Sequence, residues 1–250
     1  MILATRRSIE FQDLNSLQVL HELSSTKIAQ DVHFLNSYNI GLAIIRGEYG
    51  ELLAKSGMNL IDGLILLRTM QFWSLRKPRN QIRGADFLRA GLSNSPEGKP
   101  YFQRHCFLGS TDNVLSSLEQ KCREINPEIT TLFISPPFLH LEDMDLLGIS
   151  AEIRSFEPQI IWVGLGTPKQ DYVARFLREE LGLHVVAVGA AFDFLAGSRI
   201  ESSERMRRFG LEWLTRLIEE PKRLWKRYLV VSPISLVYPF FISLQIRSYE

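Results

Sequence analysis

Two cysteines, Cys106 and Cys122, are all the thiols in 250 residues. They are too few for a disulfide framework, and neither CxxC nor Cys/His spacing suggests a zinc site. A reducing, cytosolic compartment is the natural home. The five histidines, His21, His33, His105, His140 and His184, show no metal-ligand spacing. No GxSxG occurs and Cys106 sits in a buried-strand pattern, so nucleophilic hydrolysis has no evident carrier. GxGxxG is missing too, with no ribose-binding acid about 20 residues beyond one, which disfavours a nicotinamide-dependent dehydrogenase. Neither charge is in excess. The 29 Lys+Arg stand against 28 Asp+Glu, and 45% hydrophobic with 23% charged residues is ordinary globular composition, which argues against a nucleic-acid partner. Met1–Glu10 lacks the apolar stretch of ~7–15 residues that a secretory signal needs. A single long uncharged run, Leu229–Ile246, falls short of the ~20 residues that span a bilayer. Pro233 and Pro239 also oppose a regular spanning helix, since proline removes a hydrogen bond that hydrocarbon cannot replace.

What is present is an alternation of short apolar runs with helical patterns. Val32–Asn36 reads as a strand, Ser37–Ser56 as a helix and Met58–Ile61 as a second strand ending in Asp62-Gly63. Further strands are expected at Cys106–Gly109, Thr131–Ile134, Ile160–Gly164 and Val185–Gly189, with helices over Asn113–Ile125 and Gln170–Leu181. Apolar runs of four or five between helices imply an α/β fold with a parallel sheet covered on both faces. Ligands of such sheets sit beyond the carboxyl ends of the strands. The chain divides into a core, residues 1–197, and a basic amphipathic appendage, 198–250. Arg199–Arg227 holds nine Lys/Arg and five Asp/Glu, while the remainder carries −3.

Four constellations can carry chemistry. After the strand 160–164, Gly164-Leu165-Gly166 permits a tight turn and Thr167-Pro168 can open a helix as N-cap and first residue. The helix-start amides with Lys169 and Gln170 suit an anion or ribose phosphate; equally, Thr167 and Gln170 can form a capping box that serves only the helix. Next, Gly189-Ala190-Ala191 leaves room for a planar ligand beside Asp193, which can accept from the imide N–H of a uracil or cap the next turn. Third, Arg216, Arg223 and Arg227 are spaced to share one helical face as an anion clamp, with Pro221 a break between the first and the others. The same basic helix can be a solvated face or a membrane-surface anchor. Fourth, Asp62 at a strand end can be a turn residue or a general base. Asp143-Met144-Asp145 has the look of a metal-binding DxD, but its polar setting reads as a helix start, where acids favour the dipole.

Taken together, Asp62-Gly63, Gly164–Gln170, Gly189–Gly197 and Gly210–Arg223 resemble the WecG/TagA/CpsF glycosyltransferase family over about residues 30–232. The resemblance implies a Rossmann-like core and an inverting enzyme of cell-surface polysaccharide synthesis that requires no metal and no cofactor. It would transfer an N-acetylmannosamine-type sugar from a UDP donor to a polyprenyl-diphosphate-linked acceptor. Carried over residue by residue, it gives Asp62 as general base. Asn36, Gly164, Gly166, Thr167, Pro168, Lys169, Gln170 and Asp193 become UDP-sugar contacts, and Arg216, Arg223 and Arg227 engage the diphosphate. The chain departs from the family pattern at Phe34 and at Pro136-Pro137-Phe138, positions that bear on acceptor handling and nucleotide stacking. Its place would be cytoplasmic, peripheral on the inner face of the plasma membrane, with the appendage facing the lipid surface or a second copy of the chain. A different class of protein fits the same crevice and tail: a non-catalytic UDP-sugar-responsive binding protein at the membrane.

Overall fold

The computed structural model describes residues 7–247; Met1–Arg6, most of the stretch read above for a signal, lies outside the described residues. Elements follow in the order β1 (Ser8–Gln12), α1 (Ser16–Ser25), β2 (Asp31–Leu35), α2 (Ser37–Ile45), α3 (Gly47–Ala54), β3 (Met58–Ile61), α4 (Leu64–Trp73), α5 (Gly84–Leu92), β4 (Arg104–Gly109) and α6 (Asp112–Ile125). Then come β5 (Thr130–Ile134), α7 (Leu146–Phe156), β6 (Ile160–Gly164), α8 (Lys169–Leu181), β7 (His184–Ala187), α9 (Ala191–Leu195), α10 (Glu204–Arg208), α11 (Glu212–Glu219), α12 (Pro221–Trp225) and β8 (Ser243–Arg247). The fold is α/β and Rossmann-like, with parallel sheets flanked by helices. The chain forms two compact units. One holds residues up to Asn15, Phe34–Arg83 and the chain from Glu201 on; the other holds Ser16–His33 and Gly84–Ile200.

In the second unit parallel strands run in the order β2-β7-β6-β4-β5. Side chains alternate across the pleat. Cys106, Leu108, Ile161, Val163, Val185 and Ala187 form one face, covered by Ile153 of α7 and Val173, Ala174 and Leu177 of α8. The intervening Phe107 and Trp162 form the other. There Phe107 meets Phe192 of α9 with ring centroids 5.7 Å apart, and Trp162 meets Phe87 of α5 at 6.0 Å. His105 sits in this core as a neutral ring, accepting from the Trp162 indole N–H at 3.0 Å and donating to the Phe102 carbonyl at 2.9 Å. Its burial pulls the pKa down to about 4, against a smaller opposing effect of the Phe102 bond.

In the first unit β1 and β8 pair in parallel, Ser8 opposite Ser243 through Gln12 opposite Arg247, joining the two ends of the described chain. Asn59 of β3 ties this pair down, its amide accepted by the Glu10 carbonyl and its N–H by Gln12 Oε1. The segment expected as an appendage lies against α2. A Cβ on Gly41 would stand 2.1 Å from the Val231 carbonyl oxygen, so only glycine admits that approach.

Two local expectations are corrected. The helix read over 37–56 is two helices, because Arg46 adopts an extended conformation (φ −109°, ψ 98°) that closes α2 and opens α3. The last expected strand ends at Ala187, since Gly189 turns with φ 62°. As Pro233 and Pro239 indicated, Leu229–Ile246 is no regular helix: it is broken into a π-helical turn (Lys226–Val231), two short helical segments and β8. Among the described residues no helix is long and apolar enough to cross a membrane.

Candidate functional site

In the second unit the strand order reverses between β4 and β6. From β4 the chain leaves through α6 toward β5 on one side, whereas from β6 it leaves through α8 toward β7 on the other. Such a switch point opens a gap beyond the carboxyl ends of the two strands. Gly109 and Gly164, register partners at those ends, border it. A Cβ at Gly164 would strike the Phe192 ring at 2.6 Å, whereas one at Gly166 (φ 78°) would meet nothing within 4 Å. Gly164 thus lets α9 close in, and Gly166 is the open side of the turn.

The helix after this turn begins one residue later than its sequence suggests. Pro168 is the N-cap and α8 starts at Lys169. The capping box from Thr167 to Gln170, one of the two alternatives for this segment, does not form, because Gln170 reaches one residue further back. Its Oε1 accepts from Gly166 N–H at 3.1 Å, and its amide nitrogen donates to the Ala187 carbonyl at 3.4 Å. Gln170 is buried, so this side chain latches the loop after β6 to the end of β7. The N–H groups of Gln170, Asp171 and Tyr172 are already accepted by Gly166 and Pro168 carbonyls. Those of Thr167 and Lys169 have no acceptor among the described residues. Lys169 Nζ donates to the Leu139 carbonyl at 3.2 Å and lies 5.4 Å from the centre of the exposed Phe138 ring. Asp193 is half-buried; its carbonyl accepts from Arg199 N–H and Ser198 Oγ, and its carboxylate has no partner among the described residues.

Between β2 and α8 lies a buried charge network. His33 of β2 bridges Asp171 of α8 (2.9 Å) and Asp31 (3.1 Å), and Asp31 also holds Arg175 (2.9 Å) and Arg178 (3.4 Å). Burial alone would lower the His33 pKa, but its hydrogen bonds to Asp171 and Asp31 outweigh that and hold it up at about 9. The first turn of α8, which follows the loop, is thereby fixed to β2.

The first unit gathers a different set. Asn36 is the N-cap of α2, its side chain accepting from Tyr38 N–H at 3.0 Å while Asn39 caps it in return. Asp62 follows β3 directly and donates its N–H to the Leu35 carbonyl at 2.7 Å. Gly63, the N-cap of α4, has φ 95°, and a Cβ there would lie 3.4 Å from Asn36 Cβ. Asn36 and half-buried Asp62 are thus neighbours at two strand ends. Arg227 stacks its guanidinium 4.4 Å above the Tyr38 ring, two residues from Asn36. Its Nε is buried with no hydrogen-bond partner among the described residues. Burial, with the like charge of Arg216, lowers its pKa from the ordinary guanidinium value. Arg216 and Arg227 are therefore in electrostatic range of one another. Arg223 is not on a face continuous with Arg216: Pro221 starts the fresh helix α12, and exposed Arg223 pairs with Glu220. Arg83 holds both Glu201 and Glu212 at 3.1 Å, fixing the approach to α11.

The DxD-like pair has a structural explanation. Asp145 caps α7, accepting from Gly148 N–H at 2.9 Å. Two residues of the site carry no sequence signal of their own. Tyr38 becomes notable only through Arg227, and Ser110, just after β4, is a non-glycine at φ 66° beside the switch point. The charged pair Asp31 and His33 inside an otherwise apolar strand was the one visible sign of the buried network. The sequence model of the Glycosyl transferase WecG/TagA/CpsF family matches residues 7–248, nearly the whole chain.

Proposed function

The chain belongs to the WecG/TagA/CpsF family of glycosyltransferases, and from that membership we propose the following reaction. An N-acetylmannosamine-type sugar passes from a UDP donor to a polyprenyl-diphosphate-linked acceptor in cell-surface polysaccharide synthesis, with inversion at the anomeric carbon and no metal requirement. Gly164, Gly166, Thr167, Pro168 and Lys169 receive the nucleotide, favoured by the two acceptor-less amides at the start of α8. Asp193 accepts the uracil imide N–H with its uncommitted carboxylate. Gln170, its amide already engaged, shapes the loop for the nucleotide from below.

Asp62 removes the proton of the acceptor hydroxyl as that oxygen bonds to the anomeric carbon; the bond from that carbon to the diphosphate oxygen breaks, and UDP leaves. Asn36 adjoins the base and contributes its amide to the sugar. Arg227, with Arg216 and Arg223, takes up the charge of the diphosphate. The observation that carries this assignment is the half-buried Arg227, stacked on Tyr38 with a buried donor left unsatisfied: such a donor costs ~1–3 kcal/mol unless something accepts from it. A lipid-linked acceptor places the enzyme peripherally on the inner face of the plasma membrane. Residues 198–250 form the contacting appendage and 1–197 the catalytic core.

The test is UDP release from a panel of UDP-sugars, with a short-chain prenyl-diphosphate glycan as acceptor. Release with UDP-N-acetylmannosamine that depends on the acceptor is the expected result. Tight UDP-sugar binding without release would instead identify a non-catalytic UDP-sugar-responsive protein.

A further inference from the structure

Two long stretches of the chain contain no acidic residue at all. Residues 63–85 carry Arg68, Arg76, Lys77, Arg79 and Arg83, and residues 221–247 carry Lys222, Arg223, Lys226, Arg227 and Arg247. They are far apart in sequence, yet the first unit joins them. The Trp73 indole N–H donates to the Leu236 carbonyl at 2.8 Å, its ring meets Phe240 edge-on at 6.2 Å, and the Ser74 and Tyr238 hydroxyls are 3.0 Å apart. Around this junction large apolar side chains stand in water. Phe72 is 75% exposed, Leu75 fully exposed, Phe240 66% and Phe241 54%. Arg76, Lys77 and Arg79 are exposed beside them.

We propose that the end of α4 with its following turn, residues 72–79, is a second bilayer anchor: Phe72 and Leu75 enter the acyl boundary while Arg76, Lys77 and Arg79 bind anionic phosphate headgroups. Apolar tips among cations match an interface that is oily below and negative above; the neighbouring acid, Asp13, is engaged by the backbone N–H groups of Arg79 and Asn80. A second copy docking the same face would oppose cation to cation, since a two-fold interface presents the same patch twice. The proposal extends the bilayer contact assigned above to residues 198–250, and rests on that peripheral placement.

The full-length chain is sedimented with vesicles of phosphatidylcholine, with and without phosphatidylglycerol, in the absence of any substrate. Wild type is expected to partition preferentially onto the phosphatidylglycerol vesicles. F72S/L75S should bind about tenfold less or weaker, since two apolar side chains lose their burial. R76Q/K77Q/R79Q should lose the preference for phosphatidylglycerol. L75S, at a fully exposed position, keeps the test valid should the double variant misfold. Wild-type binding by L75S and F72S/L75S, with loss confined to F240S/F241S, would leave the anchoring to residues 198–250 and overturn the proposal. So would a vesicle-free dimer that F72S/L75S converts to monomer without loss of vesicle binding, which would make a second copy the occupant. UDP release onto a water-soluble acceptor, measured without vesicles, is expected to be equal in F72S/L75S and wild type. Its absence in both would defeat the transferase assignment while leaving the vesicle result to stand by itself.

Discussion

At the scale of single residues, the arginines and the glutamine have separable roles. Arg227 stacks on Tyr38 and keeps a buried donor unsatisfied, whereas Arg223 lies exposed and tied to Glu220 on its own turn. Arg227→Ala is therefore expected to raise the Kd for UDP about tenfold or more, and Arg223→Ala by less. Titration calorimetry with UDP orders the two, and the reverse order would move the clamp to Arg223. Gln170→Ala leaves the Gly166 N–H and the Ala187 carbonyl without their side-chain partner. A loss of about 1–3 kcal/mol in urea unfolding should accompany it, with weaker UDP binding. The strand-end position of Asp62 was legible because an apolar run meets an Asp-Gly turn there, whereas Asn36 was reached only through the family resemblance. Tyr38 was not legible, since nothing local to residue 38 announces a contact with residue 227. Nor was Gln170's true partner, because a shift of one residue in the helix start changes which amide its side chain reaches.

Among secondary-structure elements, strands buried on both faces were the most legible. Ile160–Gly164 and Met58–Ile61 fall where their apolar runs lie, and β4, β5 and α6 differ from expectation only at their starts. What escaped were elements defined by partners distant in sequence. The strands β1 and β8 are short and carry charge, and each exists because the other pairs with it. The α2–α3 break at Arg46 has no proline to mark it. The close seat of the C-terminal segment on α2 hangs on Gly41, an ordinary-looking helical glycine. Gly41→Val would drive a side chain into the Val231 carbonyl, and no rotamer of its own relieves a clash at Cβ. Destabilisation of about 1–3 kcal/mol is expected, with Arg227 displaced from Tyr38 and UDP affinity reduced. Unfolding curves and UDP titration of this variant check both, and wild-type values in each would dissociate the segment from the site.

For the molecule as a whole, the buried network and the proposed chemistry make distinct claims about pH and rate. His33 is held charged between Asp31 and Asp171, with its pKa raised to about 9 from an ordinary 6.5. A raised folded-state value means the contribution is complete below about pH 6.5 and is lost as pH rises through about 9, an effect on the order of 3 kcal/mol. Urea unfolding across that window should show stability falling toward alkaline pH, and His33→Gln should flatten the fall; an equal slope in both would clear the network of the effect. Asp62 is tested most directly by turnover of Asp62→Asn with UDP-N-acetylmannosamine and a short-chain prenyl-diphosphate glycan, alongside its affinity for UDP. UDP release should fall about 10²–10⁴-fold with the Kd for UDP close to wild type. Release at the wild-type rate would remove Asp62 as the general base.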